Sequence, residues 1–308
     1  MKIEHLEKLD QELSLIPLSY DRVFKSVFKI NLDILKDFLK VIIPININDN
    51  DSINLLDSEI PVTSKNEYKR TVDILVVINN RIYIDALMNK SKFEYVSDRN
   101  FSYGDIISTR VIETGEDINN LKYKYVYQLN LNESPYEDIL EDDIVLYGLK
   151  THKIYNSNRH TLTKSLELYR NLYYNESDRS KEVIWYTMLT SRTFTELYEL
   201  ALKVLEKDKV QRLMEAVINM SKDEFIIHEW QKEKMDALVK HNELEGAKKE
   251  GIEEGKSIGF EEGKSIGIKE NKLEIAKNLL NMKMSIEDIS KATGLTIQDI
   301  QKMQSTEN

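Results

Sequence analysis

The stretch TVDILVVINNRIYIDALMN, residues 71–89, decides how the chain is read. Residues 71–78 are mostly β-branched or apolar, Asn79-Asn80 is a turn pair, and residues 81–89 resume an extended pattern. Two such runs joined by two turn-forming residues predict a β-hairpin. Side chains alternate across a strand, so Ile84, Ala86 and Met88 share one face of the second strand. Tyr83, Asp85, Leu87 and Asn89 share the other.

Upstream, residues 20–43 read as a helix: Val23, Phe24, Val27 and Phe28, then Ile34, Leu35, Phe38 and Leu39, recur at three-and-four spacing. Ser19 is placed to cap it and Pro44 to stop it. Residues 45–57 are rich in Asn and Asp, a loop or weak extended segment. Downstream, residues 93–113 return to helical spacing, with Phe101, Ile106 and Ile107 as core candidates and Gly115 as a C-cap. Residues 124–130 and 143–149 are third and fourth strand candidates. From about Thr163 onward the chain reads as helical throughout, over 166–174, 183–205 and 210–220. The expected class is α/β (α+β), with a helical C-terminal extension.

A composition shift follows. Six of the ten glycines lie between Gly246 and Gly267, and EEGKSIG occurs at both 253–259 and 261–267. Helix breakers at a helical interval, flanked by Glu and Lys, predict an exposed, marginal helix or a flexible connector. In residues 271–303, Ile275, Leu279 and Leu280 line one helix. Ser285 opens a second with capping-box-like spacing, and Gly294 divides it from a third near Thr296. This is helix-turn-helix-like. Its only base-reading candidates are Thr296, Gln298, Gln301 and Lys302, which favours packing or assembly over DNA reading. The expected division is an α/β domain at 1–160, a helical extension at 161–240, a helical connector at 241–270 and the small helical unit at 271–308.

Composition narrows the function. Charged residues make up 31% and hydrophobic ones 41%, as in a soluble globular protein. No run approaches a membrane span, and residues 1–10 lack the apolar core of a signal peptide. Without cysteines there is no thiolate chemistry and no Cys-based zinc site. A cytoplasmic location is the expectation. The net charge of −10 argues against a protein that coats DNA. It leaves open an enzyme whose carboxylates meet phosphate through a divalent cation. The five histidines are scattered without ligand spacing.

A hairpin can deliver such a site from few residues, one carboxylate from its first strand and two same-face side chains from its second. Asp73 begins the first strand here, and Asp85, Leu87 and Asn89 line one face of the second. The bland readings are a solvated strand-start aspartate at 73 and a solvated outer face for Asp85. Asp21 and Lys25, four apart on a helix, could form only a surface pair worth about 0.3–0.5 kcal/mol.

KRTVDILVVINNRIYIDALMNK, the upstream YDRVFKSVF, the downstream DRNFSYGDII and TGEDINNLKY, and the ending LEIAKNLLNMKMSIEDISKATGLTIQDIQKM together resemble the Rpn family of recombination-promoting nucleases and transposases. The resemblance covers about 20–131 and about 246–303. It implies a PD-(D/E)XK restriction-endonuclease-like core, Mg²⁺-dependent DNA endonuclease activity, DNA as partner and a role in recombination or transposition. By that pattern Asp73 is the metal-binding aspartate, Asp21 and Lys25 the polar pair of the first helix, and Arg99 a basic residue after the hairpin. The family's second strand carries a glutamate, any residue, then Gln, Asn or Lys. Here Leu87 stands where the glutamate belongs, while Asn89 fits the third position. Two alternatives stay open. Asp85, about 6–7 Å along the strand from Leu87, serves as a displaced second carboxylate. Otherwise the site is degenerate, and the fold acts as a DNA- or protein-binding module, with self-association through the helical C-terminal region.

Overall fold

The computed structural model describes residues 2–57, 59–60, 70–71, 73–90, 100, 102–105, 107–108, 111, 117–134, 139–155 and 158–306. These form a mixed α/β protein in two compact units, residues 1–231 and 232–308.

The hairpin forms as its sequence requires. Strand β4 (Ile74–Ile78) pairs antiparallel with β5 (Ile82–Asn89), Ile78 opposite Ile82 and Ile74 opposite Ala86. Asn79 and Asn80 both take φ of +51°, the left-handed pair that a tight two-residue turn needs and that asparagine tolerates best after glycine. Asn79 also accepts from the Ser52 amide at 2.9 Å and donates to Asp51 at 2.6 Å, which ties the turn to the segment before it. That segment, expected as loop or weak extended chain, yields a short strand β1 (Ile53–Leu55), antiparallel to β4. Glu59–Ile60 (β2) and Arg70–Thr71 (β3) form a separate two-stranded ribbon, so the first hairpin strand starts at 74 rather than 71.

Beyond the hairpin, residues 102–105 and 107–108 are helical and Ile107 is buried. Phe101, Ile106 and Gly115 lie outside the described residues. A 3₁₀ turn (Ile118–Tyr123) leads into β6 (Tyr125–Asn132), which runs parallel to β5. Two shorter strands, β7 (Glu141–Ile144) and β8 (Leu146–Gly148), replace the single fourth strand expected over 143–149; β8 pairs with β9 (Lys153–Tyr155). The expectation of helix from Thr163 is corrected by β10 (Arg159–Ser165), which lies between β6 and β7. Its RHTLTKS sequence hides a strand buried by neighbours on both sides. The six-stranded sheet has the order β1-β4-β5-β6-β10-β7.

One sheet face, carrying Ile74, Val76, Ile78, Ile82, Ile84, Ala86, Leu129 and Leu131, shares a single core with the helices. Those helices are α1 (Ile3–Glu12), α2 (Asp21–Ile30), α3 (Leu32–Ile42), α4 (Leu166–Asn175), α5 (Lys181–Leu189), α6 (Phe194–Val204) and α7 (Lys207–Lys222). The one helix expected over 20–43 is therefore two. Asn31 breaks it at φ −126°, ψ 62°, and its side-chain amide donates 2.9 Å to the carbonyl of Val27. The cap position is Tyr20 and not Ser19, and no side chain caps there. The helix expected over 183–205 also divides, at residues 190–193. Phe38 stacks among Phe28, Trp185 and Tyr186, with ring centroids 5.3–6.1 Å apart. The opposite sheet face has a smaller core of Leu75, Val77, Tyr83, Leu87, Ile107, Val111 and Val126.

A continuous helix, α8 (Glu224–Asn281), contains all six clustered glycines, so the glycine segment is helix rather than flexible connector. Each glycine costs about 1 kcal/mol against alanine in a helix. In the 232–308 unit, Ala276, Ile289 and Ile300 form the core of the last part of α8 with α9 (Ile286–Thr293) and α10 (Ile297–Thr306). Ser285 Oγ accepts from the Asp288 amide, and Gly294 closes α9 at φ +71°. Both are the caps its sequence predicts. Among the described residues no helix is long and apolar enough to cross a membrane.

Candidate functional site

The second face of the sheet carries a row of polar side chains at its centre. Continuing the hairpin register one pair past Ile74–Ala86 sets Asp73 opposite Leu87, while Asp85 lies opposite Leu75 on one side and Gln128 on the other. Parallel pairing with β6 sets Leu87 beside Asn130 and Asn89 beside Asn132. Asp73, Asp85, Asn89, Gln128, Asn130 and Asn132 are thus brought to one region by two adjacent strand pairings.

Asp73 is 9% exposed, so the bland reading of a solvated strand start is overturned. Its Oδ2 accepts from the Met88 amide at 2.7 Å, and its Oδ1 meets the Lys25 ammonium at 2.9 Å. Lys25 also meets Asp21 Oδ2 at 2.9 Å. The i, i+4 pair on α2 is present as its spacing predicts, and its lysine joins the helix to the sheet. Burial, and then the charge of Asp21, raise the Asp73 carboxyl to about 6 against the opposing pull of Lys25. Burial pulls Lys25 down, but Asp73 and Asp21 together hold it above the ordinary lysine value.

Asp85 is 1% exposed, which corrects the solvated outer face weighed for it. Helical residues cover that face: Ile107 packs in its apolar cluster and Gly104 lies against Gln128. A Cβ on Gly104 would come within 3.1 Å of Gln128 Oε1, a gap that suits glycine. Gln128 donates at 2.6 Å to the carbonyl of Asn100 and, at 3.4 Å, only weakly to Asp85 Oδ2. Among the described residues, Asp85 Oδ1, Gln128 Oε1 and Asp21 Oδ1 are buried without a hydrogen-bond partner. Burial first, with the nearby charge of Asp73 adding to it, holds the Asp85 carboxyl well above the usual carboxylate range.

Asn89 is buried and donates to Asn132 at 3.0 Å, and Asn100 donates to Asn130 at 3.0 Å. Leu87, 3% exposed, belongs to the apolar cluster and offers no ligand. Arg99 lies outside the described residues. Gln128, Asn130 and Asn132 did not register as site residues from sequence alone, since polar residues at alternate strand positions look like a solvent face. The parallel partner strand that buries them is a long-range feature.

The donor chemistry suits a hard divalent cation. Such an ion takes oxygen ligands, and Mg²⁺ typically uses one or two carboxylates, waters and a substrate phosphate. The unpartnered oxygen of Asp85 and the carboxylate of Asp73 are of that kind. Among the described residues no group of three or more acidic or histidine side chains converges as a cage.

Residues 269–305, spanning the end of α8 with α9 and α10, match the model for the Rpn/YhgA-like nuclease family, C-terminal HTH domain. No curated protein and no solved structure matches the chain. The matched segment is the unit whose caps and turn were legible in SIEDISKATGLTIQDIQKM, and the sheet lies outside it. In this terminal segment the chain is similar to the C-terminal domain of the Rpn/YhgA-like nuclease family.

Proposed function

We propose that the chain is a DNA endonuclease on a PD-(D/E)XK-type core, hydrolysing phosphodiesters slowly with Mg²⁺ held by Asp73 and Asp85. The observation that carries this is the order of elements around Asp73. Helices α2 and α3 precede three antiparallel strands, β1, β4 and β5; helical residues 102–105 and 107–108 then precede β6, parallel to β5. Asp73 stands at the head of the central hairpin with Asp85 one same-face step inward from the position facing it. The match of the terminal unit to a helix-turn-helix domain model supports DNA as the partner, against the packing role that its few base-reading residues led one to expect.

Bound Mg²⁺ supplies a Lewis acid for the phosphate and lowers the pKa of a coordinated water. The chain's own groups do the rest. The Met88 amide and Lys25 fix the orientation of the Asp73 carboxylate. Lys25 also supplies positive charge where phosphate charge develops. Asn89 orients water or phosphate through its side-chain amide. Turnover is slow because Leu87 withholds the carboxylate that the family pattern provides there.

A second reading is favoured by that same leucine: a nuclease fold kept for binding DNA or a partner, without turnover. The two separate in one assay, supercoiled plasmid with Mg²⁺ or Mn²⁺. The endonuclease reading expects nicking by the wild type and none by Asp73→Ala. Equal background from both sinks it and leaves the binding module.

A further inference from the structure

The two-stranded ribbon of β8 and β9 leaves both of its faces open. Neighbouring residues of a strand point to opposite faces, yet Leu146 and Tyr147 on β8, and Ile154 and Tyr155 on β9, are each 51–57% exposed. Leu149, in the turn between the strands, is 83% exposed. A lone two-stranded ribbon is marginal in water, so its shape has to come from within. Tyr155 lies over Gly148, where a Cβ would meet its ring at 2.6 Å, and its hydroxyl donates to Thr151 Oγ1 at 3.0 Å. The Tyr147 hydroxyl stands 3.0 Å from His152 Nδ1, and the His152 amide donates to the Gly148 carbonyl at 2.8 Å. The turn is held in one form, with Leu149 presented to solvent.

The ribbon also differs in charge from the rest of the chain. Residues 144–166 hold no Asp or Glu, although the chain carries 53. Lys150 in the turn and Lys153 at the start of β9 are both exposed. Acids at the foot of the ribbon are engaged, Glu141 by Lys164 and Asp143 by His160.

We propose that this ribbon enters the minor groove of duplex DNA, with Leu149 as a wedge between base pairs and Lys150 and Lys153 on the flanking phosphates. The proposal rests on DNA being the chain's partner. A flat protein surface would cover one face of the ribbon, whereas a groove covers both. Lysines free of neighbouring acids match a phosphate backbone. The faces offer apolar atoms and few donors or acceptors, so the base edges of the major groove would go unread. Apolar side chains that unstack a base step and bend the duplex belong to minor-groove binding. The ribbon leads into the site as well. The chain re-enters the sheet as β10 at Arg159, and Thr161 pairs with Gln128, the strand neighbour of Asp85.

The test uses the whole chain in EDTA, where binding is read without cleavage, on a short duplex carrying a dye at each end. The wild type is expected to bind and bend it, seen as a rise in energy transfer. Lys150→Glu with Lys153→Glu is expected to weaken binding about tenfold or more and to flatten the slope of log K against log salt by about 1.8, the share of two phosphates. Leu149→Ser should keep that slope and lose the bend. It should also lose a wild-type preference, about fivefold or more, for a duplex whose central mismatch is already unstacked. Wild-type binding that neither variant alters overturns the proposal while DNA remains the partner. No binding by the wild type overturns it too and leaves the ribbon to a protein. Ribbon-dependent binding without nicking in Mg²⁺ or Mn²⁺ supports it and removes the endonuclease reading alone.

Discussion

Asp85→Asn separates the cost of the site from its use. Among the described residues, Asp85 Oδ1 is buried without a partner and Gln128 reaches its other oxygen only at 3.4 Å. An unsatisfied buried polar atom costs about 1–3 kcal/mol. Asparagine keeps the size, removes the ionisable group and sets a donor in the neighbourhood of the unpartnered Gln128 Oε1. In metal-free buffer at pH 7.5 the variant should be more stable by about 1–2 kcal/mol, or about 2–8 °C in Tm for a domain of this size. The sign with pH follows from the raised carboxyl. Below the ordinary aspartate value both folded and unfolded chains hold the proton, so the two proteins converge. Above it the wild type loses stability as pH rises toward the folded value, and the gap opens. Mg²⁺ reverses the order. For a site with Kd on the order of 1 mM, 10 mM Mg²⁺ stabilises the wild type by about 1.4 kcal/mol and leaves Asp85→Asn unmoved. Differential scanning fluorimetry at pH 4.5 and 7.5, with and without Mg²⁺, reads all four conditions. A variant no more stable than wild type at pH 7.5 without metal, or an equal Mg²⁺ response in both, refutes the reasoning.

Other expectations rest on neighbouring observations. With Asp73 raised from 3.8 to about 6, wild-type stability should fall as pH climbs through that window, by at most about 3 kcal/mol from this group. Asp73→Asn should flatten the fall in urea midpoints, and an unchanged slope would count against the assigned environment. Leu87→Glu replaces a buried apolar side chain with a carboxyl facing Asp73. It should cost about 2–4 kcal/mol yet raise Mn²⁺-dependent plasmid nicking, and a folded variant with no gain contradicts the role given to position 87. Phe38→Ala, at the centre of the aromatic cluster, should cost about 3–5 kcal/mol in urea unfolding, and a loss under 1 kcal/mol would show that cluster to be dispensable.

What could be read from sequence was local. The hairpin was legible because its two-residue period and its Asn-Asn turn lie within nineteen residues. The terminal unit was legible because Ser285 and Gly294 cap their own helix. The absence of a carboxylate at Leu87 was equally visible. Strand β10 was not, since Thr161, Lys164 and Ser165 are polar residues buried only by the strands and helices around them. The break at Asn31 hid inside an unbroken apolar periodicity and shows itself through a side-chain bond to Val27. At the site, Asp85 and Asn89 could be placed on one face of the second strand from pleat alone, with Asp73 at the start of the first. The Lys25 bridge joins a helix to a strand 48 positions later, and the burial of Asp85 depends on Gln128 from a strand 43 positions on. Period and turn chemistry carry no information about such pairings.

The most direct measurement is a crystal structure with Mn²⁺ soaked into the chain, recorded at the manganese edge. The account expects one anomalous peak between the Asp73 and Asp85 carboxylates at inner-sphere distance, about 2.1 Å for the Mg²⁺ it replaces. No peak there, with Lys25 still bridging Asp21 and Asp73 and Asp85 still turned to Gln128, would contradict it.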